Sequence, residues 1–288
     1  MNFVVGINGK ETVRALSGML GIPSYERYTG RRDTKFWRVS GRKQLRGFVP
    51  ELDDEPVTIN WGNTMVCSRG VIVYNSPTAV SKASNKALAR KIMSDAGVSV
   101  PRTFSRAYGG SIDLGEEIVK RPLRHRAGSG FEVVDGDVVF EDDYYYSELI
   151  HKVKEFRVHV GSGEVISVQD KVLREGLDVP TSEVWNHANG EFVFENVKWN
   201  EINLVVAKTA IDAVNALGLD YGAVDVILNE FGDAFTLEVN TSPSLTGYTL
   251  DRYSVYFKGL LESDEHYPFK NIDWDEVDRG SQIVIKGD

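Results

Sequence analysis

The sequence predicts a mixed α/β fold, in which a small α/β domain precedes a larger α+β domain. Three observations predict this class. The chain opens with a short apolar strand and an amphipathic helix, its middle alternates apolar and polar residues as strands do, and its last third joins a helical face to a strand hairpin. With 288 residues, of which 42% are hydrophobic, the chain is long enough to bury a substantial core.

Composition and charge narrow the class of protein. A formal net charge of −9 argues against a protein whose whole surface binds nucleic acid. The single cysteine, Cys67, cannot form an internal disulfide or a thiolate metal cage, which favours a reducing compartment. No stretch approaches about 18 apolar residues, and the first ten residues do not resemble a secretory leader. We therefore expect a cytoplasmic protein that does not interact with membranes.

The amino-terminal domain is predicted over residues 1–75. Asn2 to Ile7 is typical of a short strand, and Glu11 to Leu20 has helical spacing closed by a glycine. Further apolar strands are predicted at Val57 to Trp61 and at Gly70 to Tyr74. This order indicates an open α/β unit, a candidate substrate-binding domain.

Between these strands lies a basic segment, Arg27 to Arg46, with eight basic residues and one acid. Its charge is opposite to that of the whole chain, and aromatic residues are interspersed in it. Two interpretations stay open: a surface that binds an acidic peptide, a protein tail or RNA, or a solvated loop that offsets the acidic remainder.

The second domain is predicted over residues 76–261, with a division near residue 150. A polar helix is predicted from Thr78 to about Asp95, because a glycine and a proline follow it. Antiparallel strands are then predicted at Glu117 to Lys120, Phe131 to Val134, Val138 to Glu141, Tyr144 to Ile150, Phe156 to Val160 and Val165 to Val172.

A helix with an apolar face is predicted from Glu201 to Leu217, where it would cover the sheet. The last residues, 262–288, hold eight acids against three basic residues. They are predicted to form a loosely held acidic tail.

The segment Gly222 to Thr246 is the most informative, because two strands flank a turn and their side chains fix a register. The register that makes one side wholly apolar pairs Leu228 with Phe235, Val226 with Leu237 and Val224 with Val239. On the other side, Asp225 then lies across from Glu238, and Asn240 follows on the same face.

Two opposed carboxylates destabilise a sheet unless a positive charge lies between them. Asp225, Glu238 and Asn240 offer oxygen ligands, which suit Mg²⁺ or Mn²⁺ shared with phosphates. The competing interpretation is a polar hairpin face whose charges point into water. The polar, loop-forming exit from Asn240 to Ser244 favours a binding-site edge.

Taken together, these residues resemble the ATP-grasp superfamily, especially its carboxylate–amine ligases of the D-alanine–D-alanine ligase and ribosomal-protein glutamate ligase type. The resemblance covers about residues 76–247. It implies an ATP-grasp fold, with two α+β subdomains (76–150 and 151–261) gripping ATP. It also implies that Asp225, Glu238 and Asn240 hold Mg²⁺ (or Mn²⁺) against the ATP phosphates.

Further motifs follow in the order that the resemblance implies. Lys86 and Lys120 match lysines that contact nucleotide phosphates. Gly128, Ser129 and Gly130 match a small flexible loop, whose backbone N–H groups can close over phosphates. An ordinary hairpin turn is the alternative for that loop.

The adenine and ribose contacts are also given by the resemblance. Glu148, Leu149 and Ile150 match the hinge strand that reads adenine, and Glu155 matches the acid that binds ribose. A strand period of two puts Glu155 and Arg157 on one face. The resemblance further implies that Arg157 and Lys171 are catalytic cations for the transferring phosphate, whereas His159 on the same face is assigned no role.

The resemblance implies a two-step, ADP-forming ligation that makes a C–N bond between small-molecule or peptide substrates. A carboxylate would attack the γ-phosphate of ATP to give an acyl-phosphate, and an amine would then displace phosphate. No nucleophile elbow such as G-x-S-x-G occurs in the chain. The alternatives are an ATP-binding module without turnover, or a kinase or carboxylating enzyme on the same fold.

Overall fold

Three β-sheets and five α-helices make up the part of the chain described by the computed structural model. The described residues are 3–7, 11–29, 35–39, 42–44, 57–64, 72–105, 117–123, 130–134, 139–177, 180, 185 and 190–262. For 3, 7, 25–29, 35–39 and 42–44, only the backbone is described. None of the helices in these ranges has an apolar stretch of the length that a membrane span requires.

The elements are as follows. The strands are β1 (Phe3–Ile7), β2 (Ser24–Thr29), β3 (Lys35–Val39), β4 (Arg42–Gln44), β5 (Val57–Trp61), β6 (Ile72–Tyr74), β7 (Thr103–Phe104), β8 (Ile118–Pro122), β9 (Glu132–Val134), β10 (Tyr144–Glu148), β11 (Lys152–Gly161), β12 (Glu164–Leu173), β13 (Phe192–Asn196), β14 (Tyr221–Asn229) and β15 (Ala234–Asn240). The helices are α1 (Glu11–Leu20), α2 (Pro77–Ser84), α3 (Lys86–Asp95), α4 (Leu204–Ala216) and α5 (Gly247–Glu262), with a 3₁₀ turn at Trp199–Glu201.

The amino-terminal sheet has the order β4-β3-β2-β1-β5-β6. Strand β1 pairs in parallel with β2 and β5, and β5 pairs in parallel with β6, as an open α/β unit requires. Strands β3 and β4 extend this sheet as an antiparallel ribbon. Part of the basic segment is therefore sheet rather than loop; its side chains lie outside the described residues.

The second sheet is antiparallel and has the order β7-β10-β8-β9. The strand predicted at Val138 to Glu141 is wrong for its described residues, since β9 pairs with β8 instead. The Tyr146 hydroxyl explains this. It accepts a hydrogen bond from the Glu141 N–H and donates one to the Val139 carbonyl, both at 3.2 Å, so these backbone groups are engaged outside a ladder.

The helix predicted from Thr78 to Asp95 is in fact two helices, α2 and α3, separated at Asn85. Asn85 has extended backbone angles (φ −96°, ψ 99°) and acts as the N-cap of α3. Its side-chain oxygen accepts a hydrogen bond from the Leu88 N–H at 3.2 Å. The break makes Lys86 the first residue of a new helix, which directs this lysine toward the third sheet.

The third sheet is antiparallel, with the order β13-β12-β11-β14-β15. One face packs against α4 and α3 around fully buried side chains such as Val158, Val224 and Ala210. The predicted helix from Glu201 to Leu217 is present from Leu204, after Asn203 caps it with bonds to two backbone N–H groups. The opposite face of the sheet carries the polar residues described below.

Helix α5 was not predicted, and it joins the first and third sheets. Its side chains Tyr253, Tyr256 and Phe257 are fully buried against Trp61 of β5 and Tyr221 of β14. The Trp61 and Tyr221 rings stack at a centroid distance of 5.5 Å. The three sheets draw on residues 3–74, 103–148 and 152–240; the domain boundaries at 75, 150 and 261 stay a proposal.

Candidate functional site

The hairpin of β14 and β15 places two carboxylates opposite each other. Asp225 pairs with Glu238 and Val224 with Val239, as predicted. Nearer the turn the predicted register is wrong, because Val226 pairs with Thr236 and Leu228 with Ala234. A β-bulge between these two regions adds one unpaired residue to β15, so the pairing register differs by one residue on its two sides.

A row of polar residues crosses all five strands at this level. Glu238 pairs with Asp225, Asp225 with Arg157, Arg157 with Gln169, and Gln169 with Asn196. Neighbouring strands lie about 4.8 Å apart, so the row extends for about 19 Å. Such a row on one sheet face is suited to binding an extended polar ligand.

Asp225 is held by Arg157 from the adjacent strand. The Arg157 Nε and Nη2 donate to the two Asp225 oxygens at 2.7 and 2.9 Å, in the two-pronged geometry that guanidinium and carboxylate favour. Burial alone would raise the pKa of Asp225, but the Arg157 charge holds it below its ordinary value. Burial would likewise lower the pKa of Arg157, and the Asp225 carboxylate raises it instead.

Glu238 is paired with Lys86, a residue 152 positions earlier in the chain. Both side chains are partly accessible, at 31% for Glu238 and 21% for Lys86. The structure thus brings Lys86, predicted as a phosphate contact, to Glu238, one of the three predicted metal ligands. The positive charges that the opposed carboxylates require are supplied here by Arg157 and Lys86.

Beside this pair lies a buried cluster of Glu155 with two lysines. The Lys152 Nζ donates to one carboxylate oxygen at 2.7 Å, and the Lys171 Nζ to the other at 2.6 Å. All three side chains are less than one-tenth exposed. Both oxygens of Glu155 are therefore engaged by lysines, and its predicted contact with ribose stays a prediction.

Lys152 was missed by the sequence analysis. A strand period of two would put it on the opposite face from Glu155, three residues later. A bulge between Lys152 and Lys154 brings it to the face of the sheet that carries Glu155. There its ammonium lies 4.9 Å from the centre of the Trp185 ring. Burial lowers the pKa of Lys152, although the Glu155 charge opposes this.

The chemistry of the donor set fits a hard divalent cation. The described residues contain no group of three His, Cys, Asp or Glu side chains placed to hold a metal. They do place Asp225 and Glu238 opposite each other, with Asn240 on the face of Glu238. Asn240 Oδ1 accepts a hydrogen bond from the Ser242 N–H at 3.0 Å, which orients the amide. Two carboxylates and one amide leave the remaining positions for phosphate oxygens and water, as Mg²⁺ prefers.

Lys120 lies on β8 of the four-stranded sheet, where it contacts Glu141 and the face of Tyr144. The hydrogen bond to Glu141 raises its pKa. The adjoining Gly130 has a φ of 75°, and a Cβ there would lie 2.7 Å from the Pro122 side chain, so a glycine is required. Gly128 and Ser129 lie outside the described residues.

The predicted hinge, Glu148 to Ile150, links the second and third sheets. The Glu148 carboxylate accepts from the Arg102 backbone N–H at 2.8 Å and from its Nε at 2.9 Å. The Leu149 N–H donates to the Glu117 carbonyl at 2.9 Å. These groups are engaged within the protein, and the contact of this segment with adenine stays a prediction.

His159 is a buried, bonded residue of β11, which agrees with its exclusion from the predicted site. Its Nδ1 lies 3.3 Å from the Tyr253 hydroxyl and its Nε2 lies 3.2 Å from Gln169 Oε1. Burial, aided by the nearby Arg157 charge, lowers the pKa of His159 to about 4. The side chain is thus neutral in the folded protein near pH 7.

This burial predicts a pH dependence of stability. In the unfolded chain a histidine has a pKa of about 6.5, so between that pH and about 4 the unfolded state binds more protons and the free energy of unfolding falls as the pH falls. The contribution of His159 is about 2 to 3 kcal/mol between pH 7 and pH 4.5.

The check is urea unfolding of the wild type, His159→Gln and His151→Gln at both pH values. His159→Gln should lose part of the acid-induced decrease, whereas His151→Gln, at an exposed residue, should keep it. An equal decrease in all three proteins would contradict the buried neutral state.

The residue after β5 and helix α1 contact the segment that follows β15. A Cβ on Gly62, which follows β5, would lie 2.6 Å from the Ser242 Cβ. Thr12, in α1, accepts a hydrogen bond from the Leu245 N–H at 3.1 Å through its hydroxyl. The carboxyl end of the parallel strand β5 therefore borders the residues that follow Asn240, near the Glu238 end of the polar row. Open α/β sheets bind ligands at the carboxyl ends of their strands.

Comparisons with known proteins agree with this geometry. No family model matches the chain. It is 27% identical over 197 residues to a D-alanine–D-alanine ligase of Methylacidiphilum infernorum, covering 65% of each chain. It is 29% identical over 196 residues to a tetrahydromethanopterin:α-L-glutamate ligase of Methanocaldococcus jannaschii, covering 61% of this chain and 64% of that protein. The match thus spans just under two thirds of the length of these relatives.

The solved structure of the ATP-grasp ligase PsnB, complexed with minimal precursor, Mg and ADP, superposes with a TM-score of 0.54 at 17% identity. It covers 85% of this chain and 90% of that one. The predicted ATP-grasp fold is confirmed by this likeness. The chain therefore has the fold of an ATP-grasp ligase and is similar in sequence to the two ligases above.

Proposed function

We propose that this protein is an ADP-forming carboxylate–amine ligase that makes a C–N bond through an acyl-phosphate. One observation carries the proposal: Asp225 and Glu238 are opposed on the polar face of the sheet, with Arg157 and Lys86 bound to them. Two acids and two cations at one place suit a magnesium–triphosphate, because the acids can bind the magnesium ion and the cations can bind the phosphates.

In this proposal Asp225, Glu238 and Asn240 hold Mg²⁺ (or Mn²⁺). The bound ion would supply neutralisation of the phosphate charge as the terminal phosphoryl group is transferred. Lys86 and Lys120 would bind the phosphates, and the Gly128–Gly130 loop would cover them and exclude water. Arg157 and Lys171 would meet the charge that develops on the γ-phosphate.

The reaction would proceed in two displacements. An oxygen of the substrate carboxylate attacks the γ-phosphorus, the bond to the bridging oxygen of ADP breaks, and ADP leaves. The amine nitrogen then attacks the acyl carbon, inorganic phosphate leaves with the bonding electrons, and the nitrogen loses a proton. Neither step needs a side-chain nucleophile, so positioning and charge neutralisation account for the catalysis.

The substrates are proposed by class. The named relatives act on an amino acid or attach glutamate, and PsnB was solved with a precursor. We therefore infer an amino acid or peptide as a substrate here, bound where the amino-terminal domain borders Asn240. The basic segment Arg27 to Arg46 remains a candidate surface for an acidic peptide, a protein tail or RNA. A cytoplasmic location remains an inference from the single cysteine.

The decisive assay combines the protein with ATP, Mg²⁺ and pooled amino acids or peptides, and follows both phosphate release and product mass. A ligase releases phosphate only when carboxylate and amine are both present, and its product lacks one water relative to the two substrates. A binding module would bind ATP without releasing phosphate. A kinase would leave a phosphorylated product, so either outcome would contradict the proposal.

A further inference from the structure

The position of Glu238 depends on the bulge in β15. From the turn, the ladder runs through the pair Val226 and Thr236. Continued without a bulge, it would place Leu237 opposite Asp225. Because strand side chains alternate, Glu238 would then point to the other face of the sheet. The extra residue Leu237 is therefore what brings the second carboxylate to the first.

Helix α3 and its following loop hold this bulge from one side. Arg90 Nε donates to the Leu237 carbonyl at 3.1 Å, and the Thr236 N–H donates to the Ser99 carbonyl at 2.9 Å. A bulged residue lacks a ladder partner, so its polar backbone groups need one elsewhere. Lys86, one helical turn before Arg90, reaches Glu238 itself. Two cations of one helix face thus bind two successive residues of β15.

Arg90 also contacts the four-stranded sheet. It is buried, with 3% exposure, and its Nη1 donates to the Thr103 hydroxyl of β7 at 3.3 Å. Its guanidinium lies 5.5 Å from the centre of the Tyr145 ring of β10. One side chain therefore links the sheet that carries Lys120 to the bulge that orients Glu238.

We propose that Arg90 is a positioning residue that fixes the β15 bulge and thereby sets the metal-binding geometry of Glu238. This inference deepens the proposed function and rests on it. In this inference Arg90 acts through the Leu237 carbonyl rather than through a contact with substrate or metal.

Two variants separate the two arms of Arg90. Arg90→Met keeps a long side chain but loses both hydrogen bonds. Thr103→Val removes the partner on β7, together with the hydrogen bond that the Thr103 hydroxyl donates to the Pro101 carbonyl, and leaves the Arg90 bond to Leu237 in place. Hydrogen–deuterium exchange of the protein without ligands should accelerate in residues 234–240 of Arg90→Met and stay near wild type in Thr103→Val.

Mn²⁺ affinity in the presence of ADP, followed by electron paramagnetic resonance, should fall by about 10- to 100-fold in Arg90→Met, the range for lost outer-shell partners of metal ligands. Arg90→Lys, which keeps one donor, should recover part of the affinity.

The outcomes are distinct. Unchanged exchange and Mn²⁺ affinity in Arg90→Met would overturn the inference and leave the proposed function standing. Equal losses in Arg90→Met and Thr103→Val would also overturn it, since they would assign Arg90 a general packing role. A wild type that binds no Mn²⁺ with ADP would overturn both. If Arg90→Met does not fold, Arg90→Lys decides by the same two measurements.

Discussion

Replacing Glu238 with glutamine is expected to reduce the rate of ADP formation by roughly a thousandfold while the fold is retained. The substitution removes one charge from the proposed metal set but preserves the shape of the side chain. Stabilisation of a transferring phosphate by a metal ion contributes several kcal/mol, and each 1.36 kcal/mol corresponds to about a tenfold change in rate. The measurement is steady-state ADP release at saturating ATP.

The same hairpin offers a control. Asp233→Asn changes an exposed carboxylate at the turn between β14 and β15, and it should leave the rate near wild type. The Lys86 contact that Glu238→Gln also weakens is partly exposed, so the loss of stability should stay within about 1 kcal/mol. A rate in Glu238→Gln comparable to that of Asp233→Asn would contradict the metal assignment.

Substitution of Asn75 by alanine is expected to lower the free energy of unfolding by about 3 to 5 kcal/mol. Asn75 is fully buried and has a φ of 62°. Its amide donates to the Tyr221 carbonyl at 2.9 Å and accepts from the Asp220 and Tyr221 N–H groups at 2.8 and 3.1 Å. Alanine would leave these groups unpaired and would be strained at that backbone angle.

Asn75→Gly separates the two causes. Glycine loses the same three hydrogen bonds but tolerates a positive φ, so it should be about 1 kcal/mol more stable than Asn75→Ala in urea unfolding. Asn75 follows β6 and binds the start of β14. A free energy of unfolding for Asn75→Ala within 1 kcal/mol of the wild-type value would show that these hydrogen bonds do not stabilise the contact between the first sheet and β14.

Sequence patterns predicted the opposed carboxylates because the hydrophobic alternation of β14 and β15 specifies the register on their side of the bulge. They did not predict the bulge itself, because one extra residue in a strand leaves no recognisable pattern in the sequence. Arg90, which binds the bulged residue Leu237, lies 147 residues away from it in the chain. Lys152 was missed for the same reason, because a second bulge reverses its face.

Helix α5 and the role of Arg90 illustrate another limit. The α5 sequence carries an apolar stripe at helical spacing (Tyr253, Tyr256, Phe257 and Leu260), which the prediction missed. The local pattern does not show that this stripe is buried against Trp61 and Tyr221. Arg90 resembles an ordinary exposed helix residue in the sequence and is buried only through contacts with two sheets. Both features depend on long-range packing, which local patterns do not record.

The most direct test of the central assignment is an anomalous difference map from crystals grown with Mn²⁺ and a non-hydrolysable ATP analogue. We predict a manganese peak between Asp225 and Glu238, within about 2.5 Å of an oxygen of each, with the phosphates on the same side of the sheet. A nucleotide and metal bound elsewhere, with both carboxylates facing water, would contradict the account.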